Sequence, residues 1–395
     1  MTTMKQVRVL LVGNDADYFL THRLPLALKL AELGYDIHVV LPFEPGDARF
    51  EDRPFAVHRI ALRRGGVHAG EELRTLLDLL RLYRKVRPQI VHHVTLKPTL
   101  YGGFAARLAG VPIVVNAMTG LGFVFTSSTL KARLIRMVAQ WPLRIACRRR
   151  NVTMIFQNPE DLQKFAELGI SYRESSVLIR GSGVDTRVFT PRLHGTTGQP
   201  VVMVVSRMLW DKGIAEFVAA ARALKAAGSN ARFVMVGGTD PNPSSVPEAE
   251  LRRWSDEGVV EWWGKRDNMP DVWRQADVAC LPSYAEGLPK TLLEAAATGL
   301  PLVATDIPGC REIAREGVTG MLVPKGEAVS LADALRRLIE SPELRRKFGA
   351  NARAIAEREF TVQSVIQQTL DVYQARLGAV APAVPALESG DEGSA

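Results

Sequence analysis

DVACLPSYAEGLPKTLLEAAATG, residues 277–299, has the sequence pattern of a complete strand–loop–helix unit. The four apolar residues Val278–Leu281 predict a buried strand, and Gly287 predicts a tight loop after it. Pro289 is typical of a first helical turn and Gly299 of a helix end, so a helix is predicted between them. The start of this helix is therefore expected to face whatever binds beyond the end of the strand.

The first turn of the predicted helix can offer backbone donors to a ligand. Its amides have no acceptor within the helix, and the helix dipole favours negative charge at this end. A phosphate or a sugar hydroxyl could therefore bind the amides of Gly287, Leu288, Lys290 and Thr291, whereas Pro289 has no N–H to donate.

Two glutamates lie on either side of the helix start. Glu286 belongs to the loop and Glu294 to the helix itself. Two carboxylates at a fixed separation suit a polyol, but pairs with this spacing are common by chance. The pair therefore gains meaning only from the rest of the sequence.

The length and composition predict a two-domain α/β protein. One core seldom supports more than about 250–300 residues, and the chain has 395, of which 47% are hydrophobic and 23% charged. Apolar strand-like runs alternate with helical segments, as in doubly wound parallel sheets. In the first half the runs are Val7–Val12, Asp36–Leu41, Ile90–Val94, Ile113–Val115, Thr153–Phe156 and Val177–Ile179. In the second half they are Val201–Arg207, Arg232–Gly238, Val259–Trp263, Asp277–Pro282 and Leu302–Thr305.

Charge is distributed unevenly between the two halves. Residues 1–190 carry 27 Lys and Arg against 16 Asp and Glu, whereas residues 191–395 carry 23 against 26. The basic half is the expected meeting place for an anionic partner. Nucleic acid is not expected, because the chain has no zinc-finger spacing, aromatic RNA-binding signature or basic tail.

Other cofactor, metal and membrane signals are weak. The loop Gly13-Asn14-Asp15 lacks the Gly-x-Gly-x-x-Gly dinucleotide fingerprint. The three cysteines Cys147, Cys280 and Cys310 have neither disulfide nor metal-ligand spacing. The uncharged stretch 108–130 contains Pro, Asn and Gly, so strand plus loop is predicted there and no transmembrane helix. We expect a cytoplasmic protein without a metal or cofactor.

Several motifs together resemble the family-4 retaining glycosyltransferases of the GT-B fold. They are residues 277–299, Leu300–Ile313 (LPLVATDIPGCREI), Gly317–Pro324 (GVTGMLVP), Ser206–Gly213 (SRMLWDKG) and Gly181–Pro191 (GSGVDTRVFTP). The resemblance implies two Rossmann-like domains facing across a cleft. The expected division is an acceptor domain at 1–190, a linker at 191–198 and a nucleotide-sugar domain at 199–360. A last helix at 361–378 is expected to pack back on the first domain, followed by a disordered tail at 379–395.

The resemblance also implies a donor site for a UDP-sugar. Arg207 and Lys212 would bind the diphosphate, Glu286 the donor sugar and Glu294 the ribose. Fixed cations that hold a departing UDP most tightly in the transition state increase the rate as well as the affinity. We therefore assign Arg207, Lys212 and Glu286 as catalytic. The remaining expected donor contacts are Ser206, Lys265, Arg266, Gly287, Leu288, Pro289, Lys290 and Glu294.

Three segments of the first half resemble a bacterial subgroup that adds an N-acetylhexosamine to a sugar on a polyprenyl diphosphate. They are Asp17–Ala27 (DYFLTHRLPLA), Val91–Gly102 (VHHVTLKPTLYG) and Asn116–Phe125 (NAMTGLGFVF). The acceptor residues implied are Asp15, His22, Arg23, His93, Lys97, Thr119 and Gly120. Arg23 and Lys97 are the candidates for the acceptor phosphates. His92 and His93 alternate on one strand, so at most one of them can face the cleft.

The chain departs from many relatives at one position. Met118 precedes Thr119 where those relatives place a histidine that bonds the donor sugar. Either another histidine replaces it, or the acceptor itself does so. A retaining front-side mechanism tolerates the change, because the leaving phosphate can accept the acceptor's proton.

The function expected from the resemblance is transfer of N-acetylgalactosamine or N-acetylglucosamine, with retention, from a UDP-sugar to a polyprenyl-diphosphate-linked sugar. Two alternatives are a non-hydrolysing UDP-sugar 2-epimerase, whose motifs are missing, and a non-catalytic sugar-nucleotide-binding subunit. We further expect peripheral binding to the anionic inner face of the cytoplasmic membrane through residues 119–150. This segment combines an apolar loop and helix face with Arg148, Arg149 and Arg150.

Overall fold

The computed structural model describes residues 6–62, 69–120, 140–192 and 198–380. Most of the predicted 191–198 linker lies outside these residues, as do all but the first two residues of the predicted 379–395 tail. The apolar loop and most of the basic helix expected at 119–150 also lie outside, since residues 121–139 are not described.

Two parallel sheets form the framework. The first has the order β3-β2-β1-β4-β5-β6-β7 and the second β10-β9-β8-β11-β12-β13. The strands of the first sheet are β1 Arg8–Val12, β2 Asp36–Leu41, β3 Ala56–Arg59, β4 Ile90–Val94, β5 Ile113–Ala117, β6 Val152–Phe156 and β7 Ser176–Leu178. Those of the second are β8 Val201–Val205, β9 Arg232–Val236, β10 Glu261–Trp262, β11 Val278–Leu281, β12 Leu302–Thr305 and β13 Gly320–Val323.

Helices cover both faces of each sheet, so the central strands are buried on both sides and read as continuous apolar runs. In the first half the helices are Ala16–His22, Leu24–Glu32, Ala69–Val86, Leu96–Ala109, residues 140–147 and Pro159–Glu167. In the second half they are Ile214–Ala226, Glu248–Asp256, Met269–Trp273, Lys290–Ala297, Pro308–Arg311, Ala328–Glu340, Pro342–Glu359 and Val362–Val380. The predicted α/β class with two doubly wound parallel sheets is confirmed.

The helix Val362–Val380 follows the second sheet in sequence but packs on the first. Val365, Leu370 and Tyr373 lie in the same apolar core as Phe19 of the first half. The Tyr373 hydroxyl is 2.7 Å from His92 Nδ1, and Arg376 Nε donates to Thr153 Oγ1 at 2.6 Å. The residue numbers of the domain boundaries stay predictions.

Two strands were missed by the sequence patterns. In β3, Ala-Val-His-Arg forms the sheet edge with no buried residue, so no apolar run marks it. In β13, Gly320–Val323 is a four-residue edge strand that begins with glycine, a weak strand former. Both lie at the outer edges of their sheets and away from the central strands that end at the cleft.

Candidate active site

The strand–loop–helix unit at 277–299 folds as its sequence predicts. Pro289 occupies the N-cap position of the helix Lys290–Ala297, without a side-chain hydrogen bond, and Gly299 follows the helix with a φ of 76°. The hydroxyl of Thr291 donates to the carbonyl of Val205 at 2.9 Å, which fixes the helix start against the end of β8. The motif after β8 and the motif after β11 therefore meet at one edge of the second sheet.

A glycine positions Lys212 beside this helix. The short 3₁₀ turn Trp210–Lys212 ends at Gly213, which has a φ of 71°. A Cβ on Gly213 would clash with the carbonyl oxygen of Pro282, so only glycine fits. The amide of Tyr284 also donates to the Asp211 carbonyl at 2.9 Å. The loop after β11 and the Lys212 turn are thus held together.

Lys212 and Glu286 form an ion pair at the centre of this edge. Lys212 Nζ lies 2.6 Å from Glu286 Oε1, and the two side chains are only 16% and 15% exposed. Partial burial weakens screening by solvent, so the attraction is stronger than at an open surface. Sequence analysis assigned the cation to a diphosphate and the carboxylate to a sugar, and the structure brings the two together.

Arg207 follows β8 and pairs with an acid from another loop. Its Nη1 lies 2.9 Å from Asp240 Oδ2, and the side chain is exposed. Ser206 precedes it, and Gly237 packs closely on the Ser206 carbonyl at the end of β9. The amide of Gly237 donates to Gly264 at 2.9 Å, so the exposed residues Lys265 and Arg266 follow a loop tied to the same edge. No motif predicted the partner Asp240.

Glu294 is buried in the structure. Trp273 Nε1 donates to its Oε2 at 3.3 Å, and Lys290 Nζ lies 3.6 Å from its Oε1. Burial raises the pKa of the Glu294 carboxyl, an effect that Lys290 and Trp273 oppose. The assignment of this residue to the ribose stays a prediction.

The loop at Glu286 and Gly287 also contacts the first half of the chain. A Cβ on Gly287 would clash with the Thr119 carbonyl, and Gly120 lies against the same glycine. Asn158 Nδ2 donates to the Gly287 carbonyl at 2.9 Å, and Lys290 Nζ donates to the Thr21 carbonyl at 2.6 Å. The carboxyl edges of both sheets therefore meet at a cleft beside the loop at Glu286 and Gly287. Sequence analysis missed Asn158: an Asn-Pro pair is typical of a helix start, but it gives no signal of this contact.

Three of the expected acceptor residues make local contacts. Asp15 caps the helix Ala16–His22 through Tyr18 N at 2.7 Å. His22 stacks on Tyr18 with 4.0 Å between ring centroids. Lys97 forms an ion pair with Glu72 at 2.9 Å. Their contact with an acceptor stays a prediction.

His93, expected among the acceptor residues, is buried in the core instead. Its side chain is 0% exposed, with Nε2 2.9 Å from the Tyr83 hydroxyl and Nδ1 2.7 Å from Asn116 Oδ1. Burial lowers the pKa of His93 to about 4. The pleat of β4 turns His93 towards the helix Ala69–Val86 and His92 towards the last helix, so both histidines are buried in the core on opposite faces of the sheet.

Some features bear on cofactors and membranes. Within the described residues, no group of three or more His, Cys, Asp or Glu could hold a metal ion. The three cysteines are buried and free. Among the helices that the structure covers, none is long and apolar enough to cross a bilayer.

Two parallel doubly wound sheets whose carboxyl edges meet at a charged cleft form the GT-B architecture of glycosyltransferases. Matches to family models agree: residues 8–158 match "Glycosyl transferase 4-like" and residues 199–341 match "Glycosyl transferases group 1". The chain is therefore a glycosyltransferase that carries both of these family domains. These matches favour a glycosyltransferase over the two alternatives, the UDP-sugar 2-epimerase and the non-catalytic sugar-nucleotide-binding subunit.

Solved structures share the fold. Sucrose-phosphate synthase from Thermosynechococcus elongatus superimposes with a TM-score of 0.78 at 20% identity, covering 95% of this chain and 100% of that one. WaaG, a glycosyltransferase of lipopolysaccharide biosynthesis, gives a TM-score of 0.70 at 14% identity and covers 93% and 99%.

Curated relatives are similar over most of the chain. One is the N,N'-diacetylbacillosaminyl-diphospho-undecaprenol α-1,3-N-acetylgalactosaminyltransferase of Campylobacter jejuni. It is 25% identical over 363 residues, covering 89% of this chain and 94% of the relative. Another is the UDP-Gal:α-D-GlcNAc-diphosphoundecaprenol α-1,3-galactosyltransferase of Escherichia coli, 26% identical over 319 residues and covering 77% and 79%.

Proposed function

We propose that the protein transfers an N-acetylhexosamine, with retention, from a UDP-sugar to a sugar carried on a polyprenyl diphosphate. The donor is UDP-N-acetylgalactosamine or UDP-N-acetylglucosamine. The observation that carries the proposal is the Lys212–Glu286 pair at the start of the helix Lys290–Ala297. A cation, a carboxylate and a helix N-terminus in one place match the needs of a sugar attached to a diphosphate.

The reaction follows from these groups. The bond between sugar C1 and the diphosphate oxygen breaks, and the acceptor oxygen bonds to C1 from the same face. The acceptor's proton passes to the leaving phosphate oxygen, so no side-chain base is needed. Negative charge grows on the departing UDP, and Lys212 and Arg207 stabilise it there. Glu286 holds hydroxyl groups of the sugar.

Two lines of support favour a lipid-diphosphate acceptor. The Campylobacter jejuni and Escherichia coli relatives are both named for acceptors that carry a sugar on undecaprenyl diphosphate. The first half of this chain is also the basic half, which suits an anionic substrate.

The test is transfer with defined substrates. The protein is incubated with a panel of UDP-sugars and a synthetic polyprenyl-diphosphate-linked sugar, and the mass of the lipid product is measured by mass spectrometry. The expected product gains one N-acetylhexosamine, and its NMR spectrum shows an α-anomer. A β-anomer would contradict retention. Transfer only to free sugars would contradict the lipid acceptor.

The proposal also places the protein at the inner face of the cytoplasmic membrane. Trp141 is 68% exposed and Ile145 lies one turn further along residues 140–147, so a short apolar ridge faces solvent. Arg148 lies 4.8 Å above the ring of the exposed Tyr172, and Arg150, two residues further along the chain, is also exposed. An apolar ridge flanked by cations suits an anionic bilayer surface. We therefore expect binding to vesicles that contain anionic lipid, weakened by salt.

A further inference from the structure

A narrow cavity lies at the point where the strand order of the first sheet reverses. In the order β3-β2-β1-β4-β5-β6-β7, the reversal falls between β1 and β4. Ligands of open α/β sheets bind in the crevice at such a switch point. Val12, Gly13 and Val94, at the carboxyl ends of these two strands, line the cavity, and Arg23 and His92 lie in its wall.

Arg23 is a buried cation without a counter-charge among the described residues. The residue is only 5% exposed, and its buried Nε atom has no hydrogen-bond partner. The other lining residues are apolar apart from Tyr18 and His92. The undescribed segments before residue 381 contain no Asp or Glu that could supply the missing charge. Burying a charge costs folding free energy unless the charge is paired, so an anion bound beside Arg23 would stabilise the site.

His92 adds a second unpartnered polar atom to the same cavity. It is fully buried, its Nδ1 faces the Tyr373 hydroxyl at 2.7 Å, and its Nε2 has no partner in the described structure. Burial, followed by the charges of Arg23 and His93, holds the pKa of His92 well below its usual value. A neutral imidazole adds no second positive charge beside Arg23, and its Nε2–H can donate to a bound oxygen when Nδ1 accepts from the Tyr373 hydroxyl.

The backbone above the cavity is strained. Thr95 follows β4 with a φ of 76°, which is rare for a β-branched residue, and its hydroxyl donates to Asn14 Oδ1 at 2.9 Å. The fourteen-residue helix Leu96–Ala109 starts at this threonine, and Thr95 gives it no side-chain cap. Strain of this kind persists at functional sites. The helix start adds a partial positive charge to the same edge.

We propose that this switch-point cavity binds the diphosphate of the lipid-linked acceptor, with Arg23 as its counter-ion. One phosphoryl oxygen enters between Arg23 and His92, since the cavity has room for about one water-sized group. The rest of the diphosphate lies over Gly13 and the start of the helix Leu96–Ala109. The inference rests on the proposed function for the identity of the acceptor.

Lys97, the other phosphate candidate, has a weaker claim. Its charge is already balanced by Glu72 at 2.9 Å. An anion that bound Lys97 would have to displace the Glu72 carboxylate or be repelled by it. Arg23 has no competing carboxylate in the described structure.

The assignment predicts a trade between stability and binding. In Arg23→Met, an apolar side chain of similar length replaces the unpaired cation, so the unliganded protein melts at the same or a higher temperature. The KM for the polyprenyl-diphosphate-linked sugar rises by about 10- to 150-fold, because a charge-assisted hydrogen bond is lost. The KM for the UDP-sugar stays unchanged, and Arg23→Lys gives an intermediate acceptor KM.

The experiment compares the full-length wild type with Arg23→Met, Lys97→Met and Arg49→Met. Arg49 is a matched control, since it is paired with Asp17 and Asp47 outside the cavity. The KM for each substrate and the unliganded melting temperature are measured for every variant. A fall in the melting temperature of Arg23→Met with an unchanged acceptor KM would overturn the proposal in favour of a structural role. A larger acceptor effect in Lys97→Met than in Arg23→Met would also overturn it.

A binding assay separates this inference from the proposed function. Inorganic pyrophosphate is titrated into protein whose donor site is saturated with UDP, and the melting temperature is followed. A rise in the wild type that is lost in Arg23→Met supports the cavity even if no lipid acceptor reacts. No rise in the wild type would count against the cavity.

The C-terminal tail is the other possible source of an anion. Residues 381–395 contain Glu388, Asp391 and Glu392, and they follow the helix whose Tyr373 contacts His92. A variant that ends at residue 380 is therefore included. If truncation lowers the melting temperature only when Arg23 is present, the tail carboxylates occupy the cavity and the acceptor assignment is wrong. A melting temperature that truncation leaves unchanged supports the assignment of the cavity to the acceptor diphosphate.

Discussion

The carboxyl edge of the second sheet and that of the first sheet handle charge in different ways. At the second sheet Lys212 pairs with Glu286, and Arg207 pairs with Asp240, near the mouth of the cleft. At the first sheet Arg23 is buried deeper and has no counter-charge in the described structure. One edge can exchange internal partners for ligand groups, whereas the other lacks an anion until a ligand supplies one.

The difference suggests how each substrate is held. A donor that carries both a diphosphate and hydroxyl groups can take up Lys212 and Glu286 at once, so neither charge is left alone in the complex. An acceptor diphosphate carries the anion that Arg23 lacks. The predictions below test whether the two edges serve two different substrates.

Removing Lys212 should have the largest effect on the reaction. Lys212→Ala lowers kcat/KM by about 10- to 150-fold, because a charge-assisted hydrogen bond to the diphosphate is lost and Glu286 is left unpaired. The loss of kcat/KM for Arg207→Ala lies at the lower end of this range, because Arg207 is more exposed and its charge is screened by solvent. Steady-state kinetics with varied UDP-sugar measures both effects.

The control for these two variants is Arg336→Ala. Arg336 is exposed on the helix Ala328–Glu340, where it pairs with Asp333. Its kcat/KM should match the wild type. Near-wild-type turnover in Lys212→Ala would remove the diphosphate assignment.

His93 should matter for stability and not for the acceptor. His93→Phe leaves the Tyr83 hydroxyl and Asn116 Oδ1 without their partner, and an unsatisfied buried group costs about 1–3 kcal/mol of unfolding free energy. Urea denaturation measures the loss. At temperatures where the variant is folded, its acceptor KM equals that of the wild type. A raised acceptor KM with unchanged stability would restore His93 to the acceptor site.

The two glutamates should divide the donor between them. Glu294→Ala weakens UDP binding about tenfold, because one hydrogen bond to the ribose is worth roughly 1.4 kcal/mol. Glu286→Ala lowers turnover of the donor sugar but leaves UDP affinity close to wild type. Calorimetry with UDP distinguishes the two variants, and equal losses of affinity would contradict the division.

Membrane docking should show the smallest effect of a single change. Arg150→Ser reduces binding to anionic vesicles about fivefold, since a basic residue near the surface contributes about 1 kcal/mol. Co-sedimentation at low and high salt measures it, with Arg336→Ser as the control from the other half of the chain. Combined replacement of Arg148, Arg149 and Arg150 by Ser gives a larger loss. Equal pelleting with neutral and anionic vesicles would rule out this surface.

At the carboxyl edge of the second sheet, the proposed donor site, the grouping of the charged residues was largely predictable because their motifs are local in sequence. Ser206–Gly213 and residues 277–299 each contain a strand end, a turn and the charged residues that follow it. Strand ends of a parallel sheet share one edge, so short motifs are enough to bring Lys212 and Glu286 together. The partner Asp240 follows β9 without a motif, and its position depends on how the loop folds.

The carboxyl edge of the first sheet, the proposed acceptor site, was less predictable because burial there depends on contacts distant in sequence. His92 and His93 read alike, and only the packing of Tyr83 and Tyr373 decides what each ring faces. Arg23 is of a residue type that is nearly always exposed, so its burial cannot be read from the sequence. The strain at Thr95 is likewise a product of the fold, since threonine carries no turn signal there.

The most direct test of the account varies both substrates in one kinetic experiment on Lys212→Ala and Arg23→Met. The account predicts that Lys212→Ala impairs the dependence of the rate on UDP-sugar, whereas Arg23→Met impairs only the dependence on the polyprenyl-diphosphate-linked sugar. Product mass spectrometry confirms that the rate measured is N-acetylhexosamine transfer. If both variants change the dependence of the rate on the same substrate, or if neither changes it for any substrate, the assignment of one substrate to each sheet edge is wrong.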